Sequence, residues 1–301
     1  MSTVTLGAVH AVEASFDAIA ADGRPSIWID LVDRDVALAR AEEVDRRVAA
    51  GDALPLAGRT LAVKGNIDVA GLDTTAGCPA YAYRPARDAA VVRALTGAGA
   101  VVIGTTNLDQ FATGLVGTRS PYGVCPNAHW EGLIAGGSSS GSAVAVATGM
   151  VDLALGTDTA GSGRVPAAAN GIIGLKPTRG RVSAAGVVPA CASIDCVAFI
   201  ARDVHLAALA AEIASGSDPD DPWSRTPPVV APQSGPLRVG TPTLADLDFD
   251  GDRDGAARWS AALASVVGTL GDGWPAGASF PEVPVDGLVD AGRLLLSLIH
   301  I

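Results

Sequence analysis

Three segments of the sequence contain residues that can perform nucleophilic chemistry. A lysine ends an apolar run in AVKGN (62–66), and three consecutive serines lie in AGGSSSGSA (135–143). A further serine, Ser162, lies among glycines in GTDTAGSGRVPAAANGIIGLKPT (156–178). Hydrolysis of an amide needs an activated nucleophile, a base that takes its proton, and donors for the developing oxyanion. The three segments supply residue types for each of these tasks.

Among the residues of these segments, the lysine is the candidate base that would take a proton from a serine. A lysine accepts a proton near neutral pH only when burial beside a hydrogen-bonding partner lowers its pKa. Glycines on either side of a serine let the backbone approach a substrate and point N–H groups inward. A Ser-His-Asp triad is the weaker interpretation, because none of the four histidines lies in a nucleophile-elbow sequence: His10, His129, His205 and His300.

These strings, in this order, resemble the amidase signature family over residues 55–205. The resemblance implies an α/β fold in which a mixed β-sheet core is surrounded by α-helices. It also implies a Ser–cis-Ser–Lys triad. Aligned on the motifs, Lys64 is the base, Ser138 is the bridging residue in a cis peptide, and Ser162 is the nucleophile.

Supporting residues are expected around the nucleophile. Asp158 and Arg164 flank it and are expected to pair and hold its loop, while Gly137 and Ser139 adjoin the bridging serine. Neither a cofactor nor a metal is expected. The oxyanion hole is expected from four successive main-chain N–H groups, those of Thr159, Ala160, Gly161 and Ser162.

Two more strings are similar to the allophanate hydrolase branch of the family: NLDQFATGLVGTRSPYG (107–123) and VPACASIDCVAFIA (188–201). Gln110 favours this branch, because the tRNA-dependent amidotransferase subunit usually has Glu there. The branch implies a small-molecule amide substrate, allophanate, cleaved to ammonia and carbon dioxide in urea degradation. A functional link to urea carboxylase and a homodimer are further expectations. An amidase for biuret-like or simple amides and an inactive fragment stay open as alternatives.

Three places depart from the family pattern. Gly65 follows the lysine where Asp is usual, and Thr105 stands where Lys is common. The segment NAHWEGLIAGG (127–137) lacks the usual Asn-x-x-x-Pro and Ser-Gly pattern. Because glycine adds backbone freedom, Gly65 predicts a looser site beside the base.

Composition excludes several classes of function. The net charge of −11 and the pI of 4.7 argue against nucleic-acid binding and give no attraction to an anionic membrane. No apolar segment reads as a membrane span, and residues 1–25 lack the pattern of a signal peptide. The spacing of the four cysteines fits neither a zinc ribbon nor a disulfide scaffold. We therefore expect a cytoplasmic protein.

Alternating strands and helices predict an α/β sheet that is covered on both faces. The apolar spacing of Ala37, Ala41, Val44 and Val48 predicts one buried helix face. The predicted helices cover 5–22, 35–49, 88–98, 143–148 and 255–270, and the predicted strands cover 60–63, 100–103, 151–155, 172–175 and 237–240.

We interpret residues 1–301 as a single amidase-signature domain with a proline-rich excursion at 215–236. The apolar ending LLLSLIHI (294–301) lacks a helix stop signal, so we expect the domain to be incomplete at its C-terminus. The string DGDRDG (250–255) resembles a calcium loop, but Ala261 stands where the bidentate Glu belongs, and a helix cap near Asp254 is favoured.

Three isolated residues have structural interpretations or open alternatives. Cys191 and Cys196 are interpreted as buried packing residues without a redox role. Arg119 either contacts substrate or pairs with a carboxylate, and the sequence does not choose between these alternatives.

Overall fold

The computed structural model describes residues 7–226, 240–252, 254–273 and 281–284. The chain divides into two compact units, Met1–Pro227 and Pro228–Ile301. Residues 227–236 of the proline-rich excursion, 237–239 of the strand expected next, and the apolar ending lie outside the described residues. The interpretation of the chain as one domain stays a prediction.

A six-stranded mixed sheet lies in the first unit, as predicted. Its order is β1-β3-β2-β4-β6-β5. The central strand β2 is parallel to β3 and β4, whereas β1, β6 and β5 are antiparallel to their neighbours. The strands are β1 (Trp28–Leu31), β2 (Thr60–Lys64), β3 (Val101–Thr106), β4 (Leu153–Thr157), β5 (Ile173–Leu175) and β6 (Val197–Ala201).

The helices of this unit are α1 (Ala8–Asp22), α2 (Arg34–Ala49), α3 (Ala90–Gly97), α4 (Ser140–Ala147), α5 (Arg164–Ala169) and α6 (Val204–Ile213). Asp33 begins α2 by accepting the N–H groups of Asp35 and Val36. Asp203 begins α6 in the same way, through the N–H of His205. These caps satisfy donors that have no partner inside the helix.

Helix α2 differs from its prediction at one position. Ala37, Ala41 and Val44 are buried as expected, but Val48 is 45% exposed. Val48 lies on the same face of the helix, yet Ala49 and Ala50 beside it are also exposed. The last turn of α2 therefore extends into solvent beyond the packed part of the face.

Helix α4 is buried on all sides, as its small apolar residues predict. It begins at Ser140, three residues before the predicted start. A Cβ on Gly141 would lie 2.3 Å from the carbonyl oxygen of Ile27 and 2.7 Å from the nitrogen of Asn107. Glycine therefore lets the helix lie directly against the backbone of the short 3₁₀ turn Pro25–Ile27.

The second unit contains a two-stranded parallel sheet of β7 (Thr241–Pro242) and β8 (Glu282–Val283), and α7 (Gly255–Gly273). The Asp252 carboxylate accepts the N–H groups of Asp254 and Gly255 at 3.1 Å, so a cap does stand at this position. In the described parts of both units, no group of His, Cys, Asp and Glu is placed to hold a metal ion. No described helix is both long and apolar enough to cross a membrane.

Candidate active site

Lys64 ends the central strand β2 and is completely buried. Its Nζ lies 2.7 Å from Ser138 Oγ and 2.6 Å from Thr157 Oγ1. Burial lowers the pKa of Lys64 to about 7, although the charges of Asp109, Asp158 and Asp195 act in the opposite direction. Near neutral pH, a large share of this amine is therefore unprotonated and able to accept a proton.

Ser138 precedes α4 and is completely buried. The Gly137–Ser138 peptide bond is cis, as the family resemblance implies. Ser139 occupies the N-cap position of α4, but its hydroxyl makes no cap bond. It donates instead to the Thr157 carbonyl at 3.2 Å, while its N–H donates to the Ser162 carbonyl at 3.1 Å. The serine segment is thus tied to both Lys64 and the loop after β4.

Ser162 is 3% exposed and lies between β4 and α5. Its hydroxyl donates to the Gly114 carbonyl at 3.4 Å. Among the hydrogen bonds of the described residues there is none between the Ser162 and Ser138 hydroxyls. The expected triad needs a contact between Lys64 and Ser138 and another between Ser138 and Ser162. Among these described residues, the structure forms the first of these contacts and not the second.

Asp158 and Arg164 form the expected pair, with two bonds of 2.9 Å. The buried carboxylate also accepts the N–H groups of Gly161 at 2.8 Å and Gly163 at 3.2 Å. Burial alone would raise the pKa of Asp158, but the bonds from Arg164 and Gly161 outweigh it and lower the pKa. This ion pair fixes the backbone on both sides of Ser162.

The four N–H groups expected in the oxyanion hole are not equivalent. The N–H of Gly161 is already engaged with Asp158. In the described part of the chain, the N–H groups of Thr159, Ala160 and Ser162 have no protein acceptor. The Thr159 side chain donates to Asp195, which fixes this end of the loop. Three of the four groups are thus free to bind a substrate oxygen.

Thr157 and Asn66 also lie beside Lys64 or its partners, although they were not predicted as site residues. Thr157 ends β4 and contacts the Lys64 amine. The Asn66 amide donates to the Val188 carbonyl at 3.1 Å and lies 3.5 Å from Thr157 Oγ1. A usable signal was present, because adjacent parallel strands end at the same edge of a sheet. The polar residues at the ends of β2 and β4 are therefore neighbours.

Gly65 is more restrained than the sequence predicts. The Gly65 N–H donates to the Thr106 carbonyl at 3.0 Å, and the Gly65 carbonyl accepts the N–H groups of Thr75 and Ala76. A Cβ on Gly65 would lie 2.5 Å from Ile29 Cδ1, so the space for a side chain is already filled. Hydrogen bonds and close packing therefore limit the backbone freedom beside Lys64.

The isolated residues have ordinary structural surroundings. The Arg119 guanidinium donates to the Thr113 carbonyl at 3.2 Å and forms no carboxylate pair among the described residues. Cys196 is buried as expected, but Cys191 is only half-buried.

Thr105 is buried, and its hydroxyl has no partner in the described part of the chain. Segment 127–137 is held partly by Asn170, whose side chain accepts from the Ala128 N–H.

The sequence and the fold of this chain are similar to those of known proteins. The family model described as Amidase matches residues 10–266. The chain belongs to the amidase family. Its sequence is 46% identical over 274 residues to urea amidolyase of Saccharomyces cerevisiae, which covers 89% of this chain and 14% of the yeast protein. It is 47% identical over 189 residues to a 1-carboxybiuret hydrolase subunit of Pseudomonas sp., covering 62% of this chain and 41% of that subunit.

Solved structures show the same fold. The chain superposes on selenomethionine-substituted Kluyveromyces lactis allophanate hydrolase with a TM-score of 0.83 and 40% identity. The match covers 96% of this chain and 46% of that one. This chain therefore spans about half of the allophanate hydrolase structure and a smaller part of the yeast urea amidolyase.

Proposed function

We propose that this chain carries the catalytic residues of an amidase that hydrolyses allophanate to ammonia and carbon dioxide in urea degradation. The observation that carries the proposal is the buried Lys64 amine, 2.7 Å from Ser138 Oγ and with a pKa lowered to about 7. The similarity of this chain to proteins named urea amidolyase and allophanate hydrolase supports the choice of allophanate as the substrate.

In the proposed reaction, neutral Lys64 takes a proton from Ser138 as Ser138 takes one from Ser162. Ser162 Oγ attacks the amide carbonyl carbon, and the bond between that carbon and nitrogen breaks. The leaving ammonia takes the proton back through Ser138. Water then attacks the acyl-enzyme by the same relay and releases N-carboxycarbamate, so each cycle consumes one water and frees one ammonia. The N-carboxycarbamate then takes up protons and breaks down into a second ammonia and two molecules of carbon dioxide.

The Ser162 hydroxyl must turn toward Ser138 for this relay, away from the Gly114 carbonyl that it contacts at 3.4 Å. A bond of this length is weak, so the rotation costs little. The free N–H groups of Thr159, Ala160 and Ser162 are proposed to bind the oxyanion. The pair of Asp158 and Arg164 is proposed to keep those groups in place.

The proposal extends to the surroundings of the enzyme. Allophanate has to be supplied by a carboxylation of urea, so a functional link to urea carboxylase is part of the proposal. A cytoplasmic location and a homodimer are proposed with it. Neither a metal nor a cofactor takes part in the proposed steps.

The test measures ammonia released from allophanate, biuret and a simple aliphatic amide. We expect release from allophanate by the unaltered chain and a loss of at least about a thousandfold in Ser162→Ala, because the nucleophile is absent. A fluorophosphonate probe should label the unaltered chain and not this variant. Ser193→Ala, which changes an exposed serine, is the matched control and should behave like the unaltered chain.

Release from biuret without release from allophanate would instead favour the second candidate, an amidase for biuret-like amides. The similarity to the 1-carboxybiuret hydrolase subunit is the observation that favours this alternative. Labelling that persists in Ser162→Ala would contradict the assignment of the nucleophile. A folded chain that neither labels nor releases ammonia from any of the three amides would identify an inactive fragment.

A further inference from the structure

Asp109 is a completely buried carboxylate that the proposed chemistry does not use. It lies shortly after β3, and no Lys, Arg or His side chain forms an ion pair with it in the described part of the chain. A buried carboxylate is costly unless hydrogen bonds compensate for the water it loses. The groups that provide those bonds therefore indicate what the residue does.

Its hydrogen bonds connect two parts of the candidate site. Asp109 Oδ2 accepts the N–H of Gly117 at 3.0 Å, and Oδ1 accepts the N–H of Arg119 at 2.8 Å. The N–H of Asp109 donates to the Ser138 carbonyl at 3.1 Å. One residue thus joins the bridging serine to the loop of residues 110–119.

The same carboxylate lies close to two glycines of the site. A Cβ on Gly114 would come within 2.6 Å of Asp109 Oδ2, and a Cβ on Gly137 within 2.2 Å. Gly114 provides the carbonyl that accepts the Ser162 hydroxyl, and Gly137 precedes Ser138. Asp109 is therefore packed between the backbone segments that contact both serines.

We propose that Asp109 is a positioning residue, whose carboxylate holds the 110–119 loop against the two serines of the site. The effect of Asp109 on the reaction rests on the proposed function, whereas its role in holding the loop does not. It differs from the role of Asp158, which holds the backbone on either side of Ser162 itself.

The charge of Asp109 gives the proposal a distinctive consequence. Three carboxylates act on the Lys64 amine, and Asp109 has the largest effect, ahead of Asp158 and Asp195. Asp158 is also paired with Arg164, and Asp195 accepts the Thr159 hydroxyl. Removing the charge of Asp109 therefore lowers the pKa of Lys64 further, which a purely structural role would not do.

The experiment compares Asp109→Asn with the unaltered chain. The sequence contains two lysines, Lys64 and Lys176, so ¹³C-labelled lysine gives two side-chain signals by NMR. We expect the pKa of the Lys64 signal to fall below about 7, and the Lys176 signal serves as the internal reference. We also expect amide hydrogen exchange at Gly117 and Arg119 to become about tenfold faster, since each loses its bond to a charged acceptor.

Asp45→Asn is the matched control, because the Asp45 carboxylate also accepts two backbone N–H groups, those of Ala8 and Val9. It should leave both the Lys64 signal and the 110–119 loop unchanged. If Asp109→Asn does not fold, Asp109→Ser provides a neutral acceptor for one N–H and is expected to shift Lys64 in the same direction. An unchanged Lys64 pKa and unchanged exchange in a folded Asp109 variant would overturn the proposal.

These measurements need no substrate, so they remain informative if the proposed function is wrong. Where ammonia release is detected, the acidic limb of the kcat/KM profile should move to lower pH in Asp109→Asn, because Lys64 must be neutral. Absence of ammonia release together with the expected NMR and exchange changes would reject the proposed function and keep the role of Asp109.

Discussion

Lys64 binds fewer protons in the folded chain than in the unfolded chain, because burial lowers its pKa to about 7. An unfolded lysine keeps its proton up to a pH of about 10.4. Between these two values the unfolded state binds more protons, so this group makes the free energy of unfolding rise with pH. Its unfavourable contribution is complete below about pH 7 and absent above about pH 10.4.

We therefore expect Lys64→Met to raise the free energy of unfolding at pH 7 by roughly 2 kcal/mol, after allowing for lost hydrogen bonds. The gain should shrink or reverse by about pH 10, where the unfolded lysine is also largely neutral. Urea denaturation at both pH values measures this difference. Lys176→Met, at a half-buried lysine, is the control and should show no comparable gain. A Lys64→Met chain that is less stable at both pH values would contradict the expectation.

The contact between Lys64 and Ser138 is predicted by the resemblance of their strings to the amidase signature family. The sequence does not predict Thr157, although this residue is part of the string GTDTAG. Which polar residue at the end of a strand faces the lysine depends on how β2 and β4 pair, and that pairing brings together residues far apart in the chain. The direction of the Ser162 hydroxyl is likewise set by Gly114, which lies in a different segment.

At the scale of elements, the 110–119 loop contains backbone strain that its sequence does not show. Phe111 and Ala112 have φ angles of 51° and 57°, a region that favours glycine. A residue with a Cβ pays about 1–2 kcal/mol for this conformation. The hydrogen bond of Phe111 N–H to the Ala76 carbonyl and that of Ala112 N–H to the Asp109 carbonyl hold the loop there.

We expect Ala112→Gly to raise the free energy of unfolding by about 0.5 kcal/mol, because relief of the strain exceeds the loss of one buried methyl group. The same change at Ala39, an exposed residue inside α2, should lower it by about 1 kcal/mol. Chemical denaturation of the two variants side by side tests the difference in sign. Equal destabilisation by both changes would contradict the strain at Ala112.

The elements that the sequence predicts are those with a clear hydrophobic periodicity or with an apolar run beside a glycine. Strands β2 to β5 and helices α1 to α4 and α7 fall in this group, with ends shifted by up to three residues. Strands β1 and β6 and helices α5 and α6 were missed, because such short strands and short alanine-rich helices have weak hydrophobic periodicity. Whether Val48 is buried depends on which residues pack against the end of α2, and the sequence of the helix alone does not show this.

At the scale of the molecule, every candidate residue of the site belongs to the first of the two units. That unit contains the six-stranded sheet and the helices α1 to α6. The net charge of −11 belongs to the whole chain and predicts solubility more than any partner. The candidate site and the core around it are therefore contained in Met1–Pro227.

We expect a chain that ends at Pro227 to unfold cooperatively in urea and to react with a fluorophosphonate at Ser162. The reason is that its sheet, core helices and candidate site residues all lie within this unit. Circular dichroism during denaturation and labelling of the shortened chain measure the two properties, with Ser162→Ala in the same background as the control. A gradual transition or loss of labelling would show that the first unit depends on the second.

The contact of Gly141 with Ile27 has a consequence for protein engineers. The serine-rich helix lies against a backbone turn more than a hundred residues earlier in the chain, and a Cβ added at Gly141 would lie only 2.3 Å from the Ile27 carbonyl oxygen. Transplanting the lysine and serine strings into another scaffold would leave out this supporting surface. A successful graft must carry the Pro25–Ile27 turn with it, so the smallest transferable unit is larger than its signature motifs.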